Sequence, residues 1–564
     1  MTKWLRIILY VLAGLVILVA AGLLYIDLRF ETILHNKLSK SLTKASGISH
    51  TVEFDSANIK VFGTSVSVSG LSVRADSSAI QNDSTAQNSG FTLNADIQRV
   101  RITDFSVWQY IFNKKATIST LALERPDIDF RALKKDTAST SSKKNKKGSS
   151  LKEVSIDSIG ISYPVISYTS AKGDLHHFEG RSLDFGSLKA ITKNGRFSVV
   201  NKSGNVRSIT YDPPGGLYHW KVAATSINLE GGSMTADSIE MVPNFGKVAF
   251  MQEAGSQKTR MDMTVGKLQV RDLLTDSLFA KDTQIRMGAI EIDGLNMSLY
   301  TDQRFPDKKE MKEMPQGRLQ QIDTPIRLDS LTVNGGQIVY EEMSEGDKEP
   351  GMITFNNIQA KGSNVSNATS GSDSLMVVDI SADFMDQARL TVTYNLDLFS
   401  DDQTVHIKGD LAPCKMDIAN PMLEHAANVR IQDGESQGMY FNMYLKKEWA
   451  TGDVRFLYQG LNLVPLGKDE EAGLLDELKG FIAESFVLKK HNPSDKDEEP
   501  RIGQVSFERI HYKSIFNYSW KSLLSGLRES LGVSQKKADK ASKKAEKKEK
   551  RQEEKEDKKA AKRE

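Results

Sequence analysis

The chain has 564 residues, 8% of them aromatic and 26% charged, with a formal net charge of +2. Its single cysteine, Cys414, excludes a disulfide framework within the chain and a cysteine-based zinc site, and no basic face points to nucleic acid. The charge is uneven: residues 535–564 carry 14 Lys/Arg against 8 Asp/Glu, a surplus of +6, against −4 for the rest.

Residues 7–26 hold no charged or strongly polar side chain. Twenty helical residues at about 1.5 Å each span a hydrocarbon core of about 30 Å. Ile7, Leu9, Leu12, Leu15, Leu18, Leu23 and Ile26 supply the apolar surface. Lys3 and Arg6 precede it, so the positive-inside rule places the N-terminus in the cytoplasm. A signal peptide cleaved at Ala20-Ala21-Gly22 is the rival reading, but signal apolar regions are shorter than this run. Residues 1–27 are read as a cytoplasmic N-terminus and an uncleaved anchor.

An amphipathic helix is expected over residues 28–46. Phe30, Ile33, Leu34, Leu38 and Leu42 share one face, and Gly47 is a natural stop. The stripe either rests on lipid or plugs the end of a sheet. Strands follow from Val52. Val66 and Val68 alternate with serines, and after Gly70 the phase shifts by one, to Leu71 and Val73. Residues 76–90 read as a loop and 106–112 as a single helical turn. This makes 28–133 a helix with a first β-unit, followed by a Lys/Ser/Thr-rich linker at 134–150 that is expected to be disordered.

Residues 151–465 read as repetitive strand and turn. Residues 328–340 (LDSLTVNGGQIVY), 156–168 (IDSIGISYPVISY) and 118–130 (ISTLALERPDIDF) share one pattern. Apolar residues occupy positions 1, 4, 6 and 11, Pro or Gly position 9, and Phe or Tyr position 13; residues 287–299 are a looser copy. The step from 6 to 11 breaks strand alternation, so a bulge or bend at the Pro or Gly is expected. A repeated strand unit implies a sheet grown by adding similar elements. The clearest alternation falls in residues 390–396, 405–411 and 439–445. Residues 303–321 read as a loop, and Asn364 and Asn367 as turn residues.

Residues 466–533 hold two further amphipathic helices with a strand. Leu474, Leu478, Phe481, Ile482 and Phe486 share a face in the first; Trp520, Leu523, Leu524, Leu527 and Leu531 share one in the second. Residues 534–564 form a charged tail with no core to build, best read as solvated.

The sequence has no HExxH, GxxxxGK[ST] or GxGxxG motif for metal ligation, phosphate or dinucleotide binding. His176 and His177 are adjacent, and neighbours on a strand face opposite ways. The expectation is a non-enzyme without a cofactor.

The plan of an uncleaved anchor, an amphipathic helix and a long run of short strands resembles the AsmA-like family of Gram-negative envelopes. Residues 97–130 (IQRVRITDFSVWQYIFNKKATISTLALERPDIDF) look like that family's strand–short helix–strand unit, with a bend at Pro126. Residues 382–413 (ADFMDQARLTVTYNLDLFSDDQTVHIKGDLAP) look like its recurrent hairpins, and 439–466 (MYFNMYLKKEWATGDVRFLYQGLNLVPL) like its C-terminal region. The linker and the Lys-rich tail depart from the pattern, and the middle third matches in style alone. The resemblance implies an elongated, curved antiparallel β-sheet with an apolar inner groove, anchored in the inner membrane with its body in the periplasm. It implies lipid binding or transfer in outer-membrane homeostasis, with a phospholipid or other acyl lipid as ligand and unidentified envelope proteins as partners. It carries over no catalytic residue. The alternative is a structural or assembly factor of the envelope without a lipid.

The groove reading also has its own motive. Leu390, Val392, Tyr394 and Leu396 alternate on one strand, and Met439, Phe441, Met443 and Leu445 on another. Three amphipathic helices are too few to cover a long sheet, and they lie towards the ends of the chain. They are expected to cap such a groove rather than to roof it.

Overall fold

The computed structural model describes residues 38–60, 64–76, 91–105, 115–133, 153–193, 196–274, 284–367, 375–466 and 488–532, apart from residues 44, 47, 345 and 496. The predicted anchor at 7–26, the short helix at 106–112, the linker at 134–150, the helix at 471–488 apart from Leu488, and the charged tail all lie outside these residues. Among the described residues no helix is long and apolar enough to cross a membrane. The chain is mainly β and divides into two compact units, one drawn from Met1–Asn244 with Gly266–Gly288, the other from Phe245–Val265 with Ala289–Glu564.

In the first unit the short strands β1 (His50–Glu53) and β2 (Ser56–Lys60) both pair with β3 (Ser65–Ala75). Beyond β3 come β4 (Phe91–Thr103) and β5 (Lys115–Ala132), then β6 (Glu153–Ser162) and β7 (Val165–Thr169) side by side along β5. The ladder continues through β8 (Leu175–Lys193), β9 (Arg196–Asp212), β10 (Tyr218–Asn228) and β11 (Ser233–Pro243). One face packs a core of Val66, Val68, Ile102, Ile118, Leu121 and Ile156. Leu38 and Leu42, from the helical residues 38–46, are buried in that same core.

Among the described strands the expectation of an antiparallel sheet fails at β5. β5 runs parallel to both β6 and β7. Residues 133–152 connect them, and a parallel pair needs a connection of about a dozen residues or more. The stretch read as a linker thus has the length that a crossover requires.

That parallel pairing brings two of the sequence repeats into register. Ile118 pairs with Ile156, Leu121 with Ile159, Leu123 with Ile161, Ile128 with Ile166 and Phe130 with Tyr168. Each is the same position of the 13-residue pattern in its own copy, so the repeat is a spatial one. The bend, however, falls one residue earlier than the sequence suggested. Position 8 takes the left-handed conformation in all four copies, at Arg125, Tyr163, Gly294 and Gly335, with φ of 48°, 51°, 65° and 66°. Proline cannot make this turn because its ring fixes φ near −65°, so the residue before it does.

The bend crosses the first unit from strand to strand. Gly70, Arg125, Tyr163, Ser208 and Ser238 all have positive φ. Gly70 falls between the pairs Ser69–Arg99 and Leu71–Ile97, and Arg125 between Arg99–Glu124 and Ile97–Pro126. Ser208 falls between Gly180–Ile209 and Ser182–Arg207, and Ser238 between Val222–Ile239 and Ala224–Asp237. These unpaired positions form a crease. At Gly70 it explains the phase shift seen in the sequence: Val66, Val68, Leu71 and Val73 are all buried on one side. Because a left-handed non-glycine residue costs roughly 1–2 kcal/mol, Gly335→Val should lower unfolding free energy by about that amount, whereas Tyr163→Gly should be neutral or stabilising. Urea unfolding of each variant measures this, and an unchanged Gly335→Val midpoint would dismiss the crease as a constraint.

The chain passes between the units after Asn244 and again within β12 (Arg260–Arg271) and β13 (Ile285–Asp302). In the second unit β14 (Ile326–Met343), β15 (Gly351–Ser366), β16 (Leu375–Phe384), β17 (Ala388–Asp397) and β18 (Val405–Leu411) form an antiparallel ladder. β18 and the two-residue β19 (Cys414–Lys415) lie along β20 (Val429–Leu445), which pairs with β21 (Trp449–Pro465) and that with β22 (Ile502–Glu508). Three short helices interrupt stretches read as strand or loop: α1 (Lys247–Ala254), α2 (Pro315–Gln320) and α3 (Asn420–Ala426). Their local signals are modest: Gly255 closes α1 with φ of 64°, and prolines sit in the first turns of α2 and α3. The C-terminal helix α4 (Ile515–Ser530) lies where the periodicity places it, with the Ser514 side chain accepting a 3.2 Å hydrogen bond from the Asn517 N–H.

Candidate ligand cavity of the second unit

Alternation on β17 sorts its side chains onto two faces. Thr391 and Thr393 face outward, where Thr391 donates to Asp410 and Thr393 donates to Asp379 at 2.6 Å, each being the cross-strand partner. Leu390, Val392 and Tyr394 face the other way. β18 adds Ile407 and Leu411 to that apolar face, and β20 adds Met439, Phe441 and Met443. Phe355 of β15, Phe384 of β16 and Phe456, Leu461 and Leu463 of β21 extend it. Opposite stand Met416, Ile418 and Leu423, from the turn leading into α3 and from α3 itself. Together with α4 these residues enclose a cavity of about 340 Å³, within the range of small-molecule sites.

The seating of α4 is unusual. An amphipathic helix ordinarily lays its large apolar stripe on the sheet. Here the buried residues are Tyr518, Ser519, Ser522, Gly526 and Ser530. Ser530 Oγ accepts from Phe456 N at 3.1 Å, Ser525 Oγ accepts from Ser506 N at 3.2 Å, and the Tyr518 hydroxyl donates to the Lys446 carbonyl at 3.0 Å. Glycines let the backbones close: a Cβ on Gly503 of β22 would lie 1.8 Å from the Gly526 carbonyl oxygen. With the sheet side taken by Tyr518 and small residues, Trp520, Leu523, Leu524, Leu527 and Leu531 line the cavity, Leu523 also packing on the core around Leu396 and Leu527 and Leu531 on a core with Phe456 and Tyr458. Phe516 and Trp520 also reach solvent, at 56% and 41% exposure.

Six of the eight residues that the sequence put in a groove line this cavity: Leu390, Val392, Tyr394, Met439, Phe441 and Met443. Leu396 and Leu445 share their face but do not line it. They are packed into a closed core with Met314, Leu398, Val405 and Tyr518, which fill that end. The helical contribution also differs from expectation, since α4 forms a wall of the cavity and not a cap at the end of the sheet. The α3 turn had no legible signal, because a helix of 7 residues is too short to show a period.

Polar groups on the wall are few. Ser436 Oγ accepts from Gly438 N at 3.1 Å, and Ser519 Oγ donates to the Ile515 carbonyl at 2.9 Å. Burial pushes the pKa of the Cys414 thiol up, leaving it a protonated, weakly polar group. Burial likewise raises that of Tyr394. Arg528 is the charged side chain among the described lining residues.

The chain matches no protein-family model and no curated protein.

Elsewhere, His176 and His177 diverge as adjacent strand residues do. His176 Nδ1 lies 2.8 Å from the Tyr211 hydroxyl, in a row of rings with Tyr168. His177 bonds Ser167 at 3.0 Å and Glu179 at 3.1 Å. Among the described residues no group of His, Cys, Asp or Glu has metal-site geometry. Of the two asparagines read as turn residues, Asn364 lies within β15, and Asn367 ties the end of that strand to the segment entering β14, accepting from Ile326 N at 2.6 Å and donating to the carbonyls of Ile322 and Thr324.

Proposed function

We propose that this chain is a membrane-anchored, non-enzymatic lipid-binding or lipid-transfer protein, of the kind the AsmA-like resemblance implies. In this reading residues 7–26 anchor it in the inner membrane, its body lies in the periplasm, and the cavity of the second unit holds the acyl chain of a phospholipid or other acyl lipid. The observation that carries the proposal is the seating of α4. It is hydrogen-bonded to the sheet through Tyr518, Ser525 and Ser530 and places Trp520, Leu523, Leu524 and Leu527 on the cavity wall. Each CH₂ of a ligand hidden from water there gains about 0.8 kcal/mol, and the same contact covers apolar wall that water would otherwise wet.

Photo-crosslinking separates this reading from the structural alternative. With a crosslinking side chain at Tyr394 or at Asn395, adjacent positions on opposite faces of β17, lipid adducts are expected at Tyr394 and not at Asn395. Equal labelling, or none at either position in folded protein, would remove the lipid and leave the structural role in front.

A further inference from the structure

Tyr394 is the odd member of the cavity wall. The hydroxyls of Ser436 and Ser519 are engaged by their own backbone neighbours, and the Trp520 ring reaches solvent. Tyr394 has Val378 and Ile407 as its cross-strand partners, both apolar. Among the described residues its hydroxyl has no hydrogen-bond partner. Tyr394 is half-buried and lines the cavity, where phenylalanine would present the same apolar ring without a donor.

Its place along β17 adds to the point. Two residues further on, Leu396 is already in the closed core with Met314 and Tyr518. Tyr394 therefore marks one end of the open wall, and the remaining lining of β17, Leu390 and Val392, is hydrocarbon. A ligand that satisfies both features is an amphiphile, with a hydrogen-bond acceptor at one end of an apolar chain.

We infer that Tyr394 is a specificity-determining residue of the cavity, donating a hydrogen bond to the neutral carbonyl of a bound acyl ester. The inference rests on the lipid reading above and narrows its ligand class. The phenol is suited to donation because burial opposes its ionisation. A neutral carbonyl fits better than a carboxylate, since a charge at this wall would have apolar neighbours on both adjoining strands.

The test uses the full-length chain held in amphipol, titrated with two fluorescent probes. One is a pyrene-labelled fatty acid methyl ester, and the other is the pyrene-labelled alkane of equal length. Wild-type protein should bind the ester roughly three- to tenfold more tightly, the span expected of one net hydrogen bond. Tyr394→Phe should keep its affinity for the alkane within about twofold and lose the preference for the ester. Equal affinities in the wild type, or a preference that survives in Tyr394→Phe, would overturn the assignment while leaving the lipid reading in place. If neither probe binds the wild type, both readings are lost.

Discussion

Gly526→Leu is expected to unseat α4 and abolish lipid capture. A Cβ at Gly526 would come 2.6 Å from Val454 Cγ2 and 2.9 Å from Val505 Cγ2, both on branched, fully packed side chains. The rest of a leucine has nowhere to go except by lifting the helix from β21 and β22. Overpacking of this kind costs about 1–3 kcal/mol, and lifting α4 also breaks the bonds of Ser530 and Ser525 to the strands. The wall formed by Trp520, Leu523 and Leu527 would then lose its position. Gly246→Ala is a suitable control in the same unit, because its φ is −63° and a Cβ there meets nothing within 4 Å. Thermal melts and co-purified lipid, measured by mass spectrometry on both variants, supply the readout. Full stability and full lipid content in Gly526→Leu would show that the small-residue face does not hold the helix.

The second large effect concerns charge on the cavity wall. Val392→Glu places a carboxylate between Ile380 and Gly409, its uncharged cross-strand partners. Burying an unpaired polar group costs roughly 1–3 kcal/mol, and 1.4 kcal/mol is about tenfold in affinity. Acyl binding should therefore fall by about tenfold or more. Asn395→Glu, on the opposite face of the same strand, should leave it within about twofold. The sign of the pH response follows from desolvation, which raises the pKa of a buried carboxyl. Above that raised pKa the new side chain is charged and binding is lost; as pH falls through it, the side chain is neutralised and binding should partly return. Equal losses in both variants, or a loss in Val392→Glu indifferent to pH, would mean that the cavity does not hold the acyl chain.

Some of this could be read directly from residue order. Alternation on β17 and β20 needs only a period of two, so the inward set Leu390, Val392, Tyr394, Met439, Phe441 and Met443 was legible before any fold was known. The apolar stripe of α4 and the phase shift after Gly70 were legible for the same reason: each is a local rhythm of one element. The 13-residue repeat was visible too, but its bend was misplaced by one residue. Glycine and proline attract attention at position 9, whereas the backbone turns at position 8, where Arg125 and Tyr163 give no warning.

What residue order could not supply was every fact that depends on two distant segments meeting. The parallel pairing of β5 with β6 and β7 was hidden because pairing direction is set by long-range register, and an identical pattern in two strands suits either direction. Leu396 and Leu445 carry the same signal as their neighbours, yet Met314 and Tyr518, from elsewhere in the chain, close that end of the cavity. The seating of α4 was out of reach as well. Ser522, Gly526 and Ser530 look like the unremarkable side of an amphipathic helix until Gly503 of β22 is set against them. Local sequence determined which side chains are apolar and which face each occupies, because those follow from backbone period. Tertiary structure alone decided which apolar faces are filled by protein and which are left open to a ligand, because that depends on how closely one backbone can approach another.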